Sequence, residues 1–293
     1  MKQMECLLII NPSSGGEEAQ EYREKIENRL RSLFDTVQIR ETEGAGDAKK
    51  FAAEAAAAKV DSVFAMGGDG TVNEAISGLA EKEFRPKFGF FPLGTVNDLA
   101  RALDIPLDPN EAIEQLTLRT KKIDIGKIND HYFINVVALG TIPAAVNETA
   151  TSEKTKLGKL AYFVNGAKGV LNNDYYQFEL LLDDKKQQIT SSTLLVGLTN
   201  SIGGFEGLLP EAEVDDGLLH LIYLKDESLF DTLKAAPGLV KGVTEENQNL
   251  GYIAFKAGTI TADQSLTANV DGDPGDELPL QLAVLPQHLS VYY

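Results

Sequence analysis

Apolar positions in this chain recur with two different periods, and the change between them divides it. In the first part, short apolar runs alternate with helical stripes. Cys6–Ile10 is an apolar run ending at Asn11-Pro12. Tyr22, Ile26, Leu30 and Leu33 then recur at helical spacing, which predicts one buried face. Val37–Arg40 reads as a short strand, and the Ala-rich stretch Asp47–Lys59 as a helix by propensity. Ser62–Met66 is strand-like and runs into Gly67-Gly68-Asp69-Gly70. Thr71-Val72-Asn73-Glu74 fits a capping box and predicts a helix from Thr71 to Ala80. Phe88–Phe91 is the next strand, and Pro106 stops a helix over Asp98–Leu103. Such repeated strand–helix units predict a parallel sheet covered by helices.

After about Ile125 the period shortens. His131–Val137, Tyr175–Leu182, Thr190–Leu198, Leu218–Leu224, Tyr252–Phe255, Thr259–Thr261, Ser265–Val270 and Leu280–Val284 read as short strands. Turn signals such as Asp183-Asp184 and Asp215-Asp216-Gly217 punctuate them. Two helical stretches intervene, Lys156–Leu171 and Ser228–Val240. The expected organisation is an α/β domain over residues 1–127 and a mostly antiparallel β domain over 128–293.

Composition narrows the function classes. The chain has 293 residues, 43% of them hydrophobic and 24% charged, as in an ordinary globular protein. No apolar run reaches the roughly 18 residues of a membrane span, and the N-terminus reads as a buried strand, not a signal peptide. The only cysteine, Cys6, lies in that strand. This excludes a disulfide framework, suits a cytoplasmic location, and marks Cys6 as core filler. With 27 basic and 44 acidic residues the formal net charge is −17, which argues against general nucleic-acid binding. Membrane contact would need a local basic or apolar patch.

Candidate chemistry gathers after the strands of the first part. Three glycine-containing loops occur there: Asn11-Pro12-Ser13-Ser14-Gly15-Gly16, Gly67-Gly68-Asp69-Gly70-Thr71, and Pro92-Leu93-Gly94-Thr95-Val96-Asn97-Asp98. In open α/β sheets ligands bind beyond the carboxyl ends of the strands. Glycine admits close approach of backbone N–H groups to phosphate, and a following helix N-terminus favours negative charge. Ser14, Thr71 and Thr95 add hydroxyls. The loops contain neither a Walker A lysine nor the G-x-G-x-x-G fingerprint. Asp69 stands among anion-suited groups, either as a magnesium- or water-organising carboxylate or as a turn cap. Asp271-Gly272-Asp273 offers paired carboxylates at a strand end, alternatively a polar hairpin end. Asp215-Asp216-Gly217 is an oxygen-rich turn suited to a hard cation, alternatively a plain turn. His131, His220 and His288 are scattered and read as structural.

The ordered set of motifs resembles a family. Gly67-Gly68-Asp69-Gly70-Thr71 with Asn73-Glu74, then Pro92-x-Gly94-Thr95-x-Asn97-Asp98-x-Ala100-Arg101, is similar to the catalytic-domain signature of the soluble bacterial diacylglycerol kinases. Sphingosine kinases and NAD kinases are more distant relatives. Asp124-Ile125-Gly126, Tyr132-Phe133-Ile134-Asn135, Asn200 with Gly203-Gly204, Val214-Asp215-Asp216-Gly217-Leu218 and Val270-Asp271-Gly272 continue the resemblance along nearly the whole chain. It implies an NAD-kinase-like nucleotide-binding domain followed by a β-sandwich, and transfer of the ATP γ-phosphate to a lipid hydroxyl. ATP would contact Asn11, Pro12, Ser13, Ser14, Gly15, Thr42, Gly67, Gly68, Asp69, Gly70, Thr71, Asn73, Glu74, Thr95, Asn97 and Arg101. A structural Mg²⁺ would take Glu213, Asp216 and the Leu218 carbonyl, with Asp69 and Asp124 in its water network. Asp271 and Asp273 would supply the base.

Three departures from the family pattern bear on activity. Gly16 stands where bacterial members often carry Lys, Asn165 where a Lys near the cleft is expected, and Asp273 where Glu is usual. They keep other readings open: a kinase of a sphingoid base, a phosphatidylglycerol-like lipid or NAD, or a regulator that binds nucleotide or lipid with weakened chemistry. The expected partner is a membrane lipid at the inner surface of the membrane, with no nucleic acid, and a homodimer is compatible with the family. Lys154, Lys156, Lys159 and Lys168, beside Leu157, Leu160, Tyr162 and Phe163, form the candidate membrane-docking segment.

Overall fold

The computed structural model describes residues 3–14, 19–140, 175–206, 209–225 and 250–293. Gly15, Gly16, Asn165, the docking segment and the two helices expected over Lys156–Leu171 and Ser228–Val240 lie outside the described residues. The chain forms two units: Met1–Ile125 with Val214–Asp216 and Leu285–Tyr293, and Gly126–Glu213 with Gly217–Val284.

In the first unit the elements alternate: β1 (Glu5–Ile10), α1 (Ala19–Leu33), β2 (Thr36–Glu41), α2 (Asp47–Ala57), β3 (Ser62–Gly67), α3 (Asp69–Leu79), β4 (Lys87–Pro92), α4 (Asp98–Ala102) and α5 (Pro109–Gln115). β2, β1, β3 and β4 lie side by side and parallel. β1, β3 and β4 are near-continuous apolar runs because a sheet with helices on both faces buries both sets of side chains. One face packs Cys6, Leu8, Phe64 and Phe91 with Ile26 and Leu30 of α1 and Ile113 of α5. α2 buries Ala48, Ala52, Ala55 and Ala56. Its small residues permit close approach to α3, where a Cβ on Gly78 would stand 2.2 Å from the Lys49 carbonyl oxygen.

The helix after β3 differs from the capping-box expectation. α3 starts at Asp69, two residues early, with Gly68 as its N-cap and no side-chain cap. Thr71 is therefore inside the helix, and Glu74 turns away to accept the Gly46 N–H at 2.8 Å. α5 carries no clear apolar stripe in the sequence, although its start is strongly marked. Asp108 accepts from the Asn110 and Glu111 amides at 3.0 Å each, and Pro109 occupies the first helical position.

The second unit is built from β5 (Thr120–Ile128), β6 (His131–Phe133), β7 (Val136–Gly140), β8 (Tyr176–Leu182), β9 (Lys185–Ser191), β10 (Thr193–Gly197), β11 (Ser201–Ile202), β12 (Phe205–Glu206), β13 (Leu219–Leu224), β14 (Leu250–Phe255), β15 (Ala257–Ala262), β16 (Thr267–Val270), β17 (Asp273–Glu277) and β18 (Leu280–Tyr292). β5 and β18 each begin in one unit and end in the other. The order β14-β13-β10-β7-β16-β17 is antiparallel throughout. β18, β15, β8 and β9 form a second antiparallel layer. Val137, Leu139, Val196, Leu219 and Phe255 of the first layer meet Phe178, Leu180, Ile260 and Leu282 of the second in one core. This is the expected sandwich. The strand expected over Thr190–Leu198 is two strands, β9 and β10. They part at Ser192, where the Ser191 hydroxyl donates to the Thr193 carbonyl at 2.8 Å.

Candidate active site

The glycine loops converge at the carboxyl edge of the parallel sheet. The Asn11 amide donates to the Met66 carbonyl at 3.0 Å, Leu93 to Gly67 at 3.0 Å, and Thr42 to Ile10 at 2.8 Å. A Cβ on Gly94 would stand 2.8 Å from Gly68 Cα, so two loops cross backbone to backbone where no side chain fits. Asn11 Nδ2 donates to Thr71 Oγ1 at 3.0 Å, while Asn11 Oδ1 accepts the Ser13 amide at 3.0 Å. The first loop is thereby tied to the first turn of α3, with Pro12 and Ser14 on the same turn.

Asp69 joins the second loop to the third. Its Oδ2 accepts the Asn97 amide at 2.8 Å and its Oδ1 the Asp98 amide at 2.9 Å. Asn97 sits in the left-handed region at φ 55°, accepts from the Gly94 amide and donates back to the Gly94 carbonyl. Arg101 Nε donates to the Val96 carbonyl at 2.8 Å. Asp69, Asn97 and Arg101 thus give the loops their shape. Thr95 is exposed on the third loop, and Asn73 lies on α3 with its Oδ1 buried and unpartnered among the described residues.

A cavity of about 330 Å³ opens at this edge, lined by Asn11, Ser13, Thr42, Gly70, Thr71 and Glu74 among others. Gly70 is informative. Its φ is not in the left-handed region, and a Cβ built there meets nothing within 4 Å. Neither backbone conformation nor packing requires glycine in this first helical turn, where it costs about 0.5–1 kcal/mol relative to Ala. The space beside it is a cradle that a side chain would fill. The helix N-terminus facing it lacks a side-chain cap and is suited to an anion. Hydroxyls and amides fit a nucleotide's phosphates here. Glu43 and Glu74 are carboxylates on the wall, and among the described residues no Lys or Arg lines it, so amide dipoles are the positive groups there.

The acids of the resemblance are held individually. Asp124 is buried; its Oδ1 accepts the Gln287 amide at 2.6 Å and its own amide donates to the Val214 carbonyl at 2.7 Å. Lys121 pairs with Asp215 at 3.0 Å. Glu213, Asp216 and Leu218 flank one turn that closes at Gly217, φ 74°. Among the described residues no three His, Cys, Asp or Glu side chains gather as a metal site. The turn's oxygen donors nonetheless suit Mg²⁺, which takes one or two carboxylates, carbonyls and water.

In the second unit Asp271, φ 50°, uses its carboxylate to tie two segments together. Oδ2 accepts the Ile134 amide at 2.8 Å, and Oδ1 those of Asn135 and Val136 at 2.9 and 2.8 Å. Asp273 is exposed at the start of β17. His220 is buried with its Nδ1 2.6 Å from the Tyr252 hydroxyl, and His288 Nε2 accepts the Glu81 amide at 3.0 Å; both are structural, as expected. Sequence reasoning passed over Gly44, Ala45 and Ala48, which line the cavity beside Thr42. The one signal for them was a second glycine, Gly44, whose Cβ space is also open.

Comparison with known proteins identifies the family. The diacylglycerol kinase catalytic domain family matches residues 5–128, and the YegS C-terminal NAD kinase beta sandwich-like domain matches residues 135–293. A diacylglycerol kinase of Bacillus subtilis is 33% identical over 286 residues, covering 97% of this chain and 94% of its own. One from Staphylococcus aureus MRSA252 is 34% identical, covering 97% and 91%. The crystal structure of a diacylglycerol kinase from Bacillus anthracis superposes with a TM-score of 0.79 at 25% identity, covering 100% of this chain and 98% of that one. With both halves matched in order, this chain belongs to the diacylglycerol kinase family of lipid kinases.

Proposed function

We propose that this lipid kinase moves the γ-phosphate of ATP to the hydroxyl of diacylglycerol or a similar membrane lipid, with Mg²⁺. The observation that carries the reading is the Gly70 cradle at the uncapped start of α3, bounded by Asn11 and Thr71. In the transfer the lipid hydroxyl oxygen bonds to the γ-phosphorus while the bond to the β–γ bridging oxygen breaks. ADP leaves with that electron pair, and the hydroxyl proton passes to a carboxylate of Asp271-Gly272-Asp273. Glu213, Asp216 and the Leu218 carbonyl would hold a structural Mg²⁺, with Asp69 and Asp124 in its water network. Asn11, Thr71 and the first-turn amides of α3 orient the phosphates, while Asp69 and Asn97 keep their loops in register. Among the described residues no helix is long and apolar enough to cross a membrane. The reading has the enzyme meet its lipid at the cytoplasmic membrane surface.

The test is incubation of the full chain with γ-labelled ATP, Mg²⁺ and mixed micelles of diacylglycerol, sphingoid base or phosphatidylglycerol, with NAD in a parallel aqueous assay. Label in the organic phase that requires diacylglycerol is expected. Label on NAD, or none on any acceptor despite ATP binding, overturns the reading.

A further inference from the structure

Two asparagines flank Asp271, Asn135 at the end of the Tyr132-Phe133-Ile134-Asn135 motif and Asn269 in β16, and neither has yet been given a chemical role. Asn135 is 3% exposed and Asn269 8% exposed. Each has one buried side-chain atom without a hydrogen-bond partner among the described residues: Oδ1 of Asn135, an acceptor, and Nδ2 of Asn269, a donor. Buried polar atoms are nearly always paired, so two on segments tied to the Asp271-Gly272 turn need a reason.

Hydrogen bonds tie both segments to the Asp271-Gly272 turn. The Asn135 amide donates to Asp271 Oδ1 at 2.9 Å, and its carbonyl accepts from Leu198 at 3.0 Å. Asn269 stands opposite Ala138 in the β16–β7 ladder, and its Oδ1 accepts the Gly272 amide at 3.0 Å. That bond fixes which end of the Asn269 amide is the nitrogen. The Asp271 amide donates to the Val136 carbonyl at 2.9 Å, tying the same two segments a second time. Backbone bonds therefore fix the Asn135 main chain, and the Gly272 amide fixes the Asn269 side chain, before any ligand arrives; such preorganisation marks binding groups.

An unmet acceptor and an unmet donor together complement a group that both donates and accepts one hydrogen bond. We infer that Asn135 and Asn269 form a cradle for the hydroxyl of the acceptor lipid, next to the carboxylates that take its proton. This rests on the lipid-kinase reading and adds to it the residues that distinguish a lipid bearing a free hydroxyl from one without it. A site built to bond a hydroxyl rejects an analogue lacking it, because its own buried groups are then left unpaired.

Asn135→Leu is the sharpest variant. The side chain of Asn135 has no bond within the described protein to lose, so an apolar replacement of similar size leaves the melting temperature unchanged or raises it. The same change lowers kcat/KM for diacylglycerol by about tenfold or more, the worth of one buried hydrogen bond, and leaves the KM for ATP unchanged. Inhibition by a diacylated propanediol, which lacks the free hydroxyl, is not weakened. Asn269→Ala also removes the acceptor of Gly272, so it lowers the melting temperature. In the double variant the combined loss in kcat/KM falls short of the product of the two single losses, because both contacts serve one group.

The wild-type chain is assayed first. Failure to phosphorylate any lipid overturns the kinase reading and this inference with it. If the wild type is active but Asn135→Leu keeps full kcat/KM for diacylglycerol, the cradle alone is refuted. A lowered melting temperature with unchanged kinetics likewise refutes it and identifies a buried structural water.

Discussion

Replacing Asp271 with Asn tests what the carboxylate does for the fold apart from chemistry. Its oxygens accept three backbone amides, from Ile134, Asn135 and Val136, across more than 130 positions of sequence. Bonds to a charged acceptor contribute about 1.5–3 kcal/mol each. Asparagine keeps one oxygen and turns an NH₂ toward an amide donor in whichever orientation it takes. At least one amide then loses its acceptor, for a net cost of about 2 kcal/mol. At about 2–4 °C per kcal/mol for a unit of this size, the melting temperature falls by about 4–8 °C. Asp273→Asn, at an exposed position, stays within about 0.5 kcal/mol of the wild type. Thermal unfolding of the two full-length variants, followed by circular dichroism, makes the comparison. Melting temperatures for Asp271→Asn and Asp273→Asn that agree within about 1 °C would refute the three-amide tie. The comparison also bears on catalysis. Activity lost in Asp271→Asn together with stability does not identify a base, whereas activity lost in Asp273→Asn at full stability assigns proton transfer there.

Gly70→Ala is expected to stabilise the chain by about 0.5–1 kcal/mol through helix propensity while weakening ATP binding in calorimetric titration; undiminished ATP affinity would remove the cradle argument. His288 gives a pH dependence. Burial first, then the nearby Arg85, hold its imidazole below the usual 6.5, with Glu81 opposing. The unfolded chain therefore binds its proton at higher pH than the folded one. Its contribution to stability is complete above about pH 6.5 and declines as pH falls through the lower folded value. The urea midpoint should fall less between pH 7.5 and pH 5 in His288→Gln than in the wild type, and an equal fall would assign the acid sensitivity elsewhere. Burial pushes the Cys6 thiol up to about 12, so iodoacetamide at pH 8 should label the native chain only as fast as it unfolds.

Much of the first unit was legible because its signals are local. Apolar runs followed by Asn11-Pro12, Gly67-Gly68 and Pro92 marked the strand ends to within a residue, and helical spacing placed α1. What escaped were features set by distant neighbours. The box at Thr71 looked like a helix start, but the Asn11 amide takes the Thr71 hydroxyl and the Gly46 N–H takes Glu74. Both partners are remote in sequence, so the local pattern could not weigh them. β9, Lys185–Ser191, is mostly polar because it is an edge strand, exposed along most of its length. β18 continues past Val284 through Pro286-Gln287-His288 to Tyr292, where the apolar alternation breaks. Gln287 passes the interruption at φ 47°, and its amide is held by Asp124. The end of this strand then joins β4 at Val291.

The site was legible to different depths in its two kinds of residue. Glycine announces phosphate chemistry in sequence because few other side chains permit the backbone approach, and Gly67, Gly68 and Gly94 each show a real steric reason in three dimensions. Gly70 shows none, and that absence separates a glycine kept for the fold from one compatible with a ligand. Carboxylates are more ambiguous. Asp69, Asp124 and Asp271 all accept backbone amides, so each shapes a loop whatever further part it takes in chemistry. Asparagines are nearly silent, since the residue is common in turns and its two ends look alike in a sequence. Asn135 and Asn269 became distinguishable only when burial was combined with hydrogen-bond accounting. A polar atom that the fold buries and does not satisfy costs stability, and the most economical physical reason for it beside an acidic turn is a partner that arrives from outside.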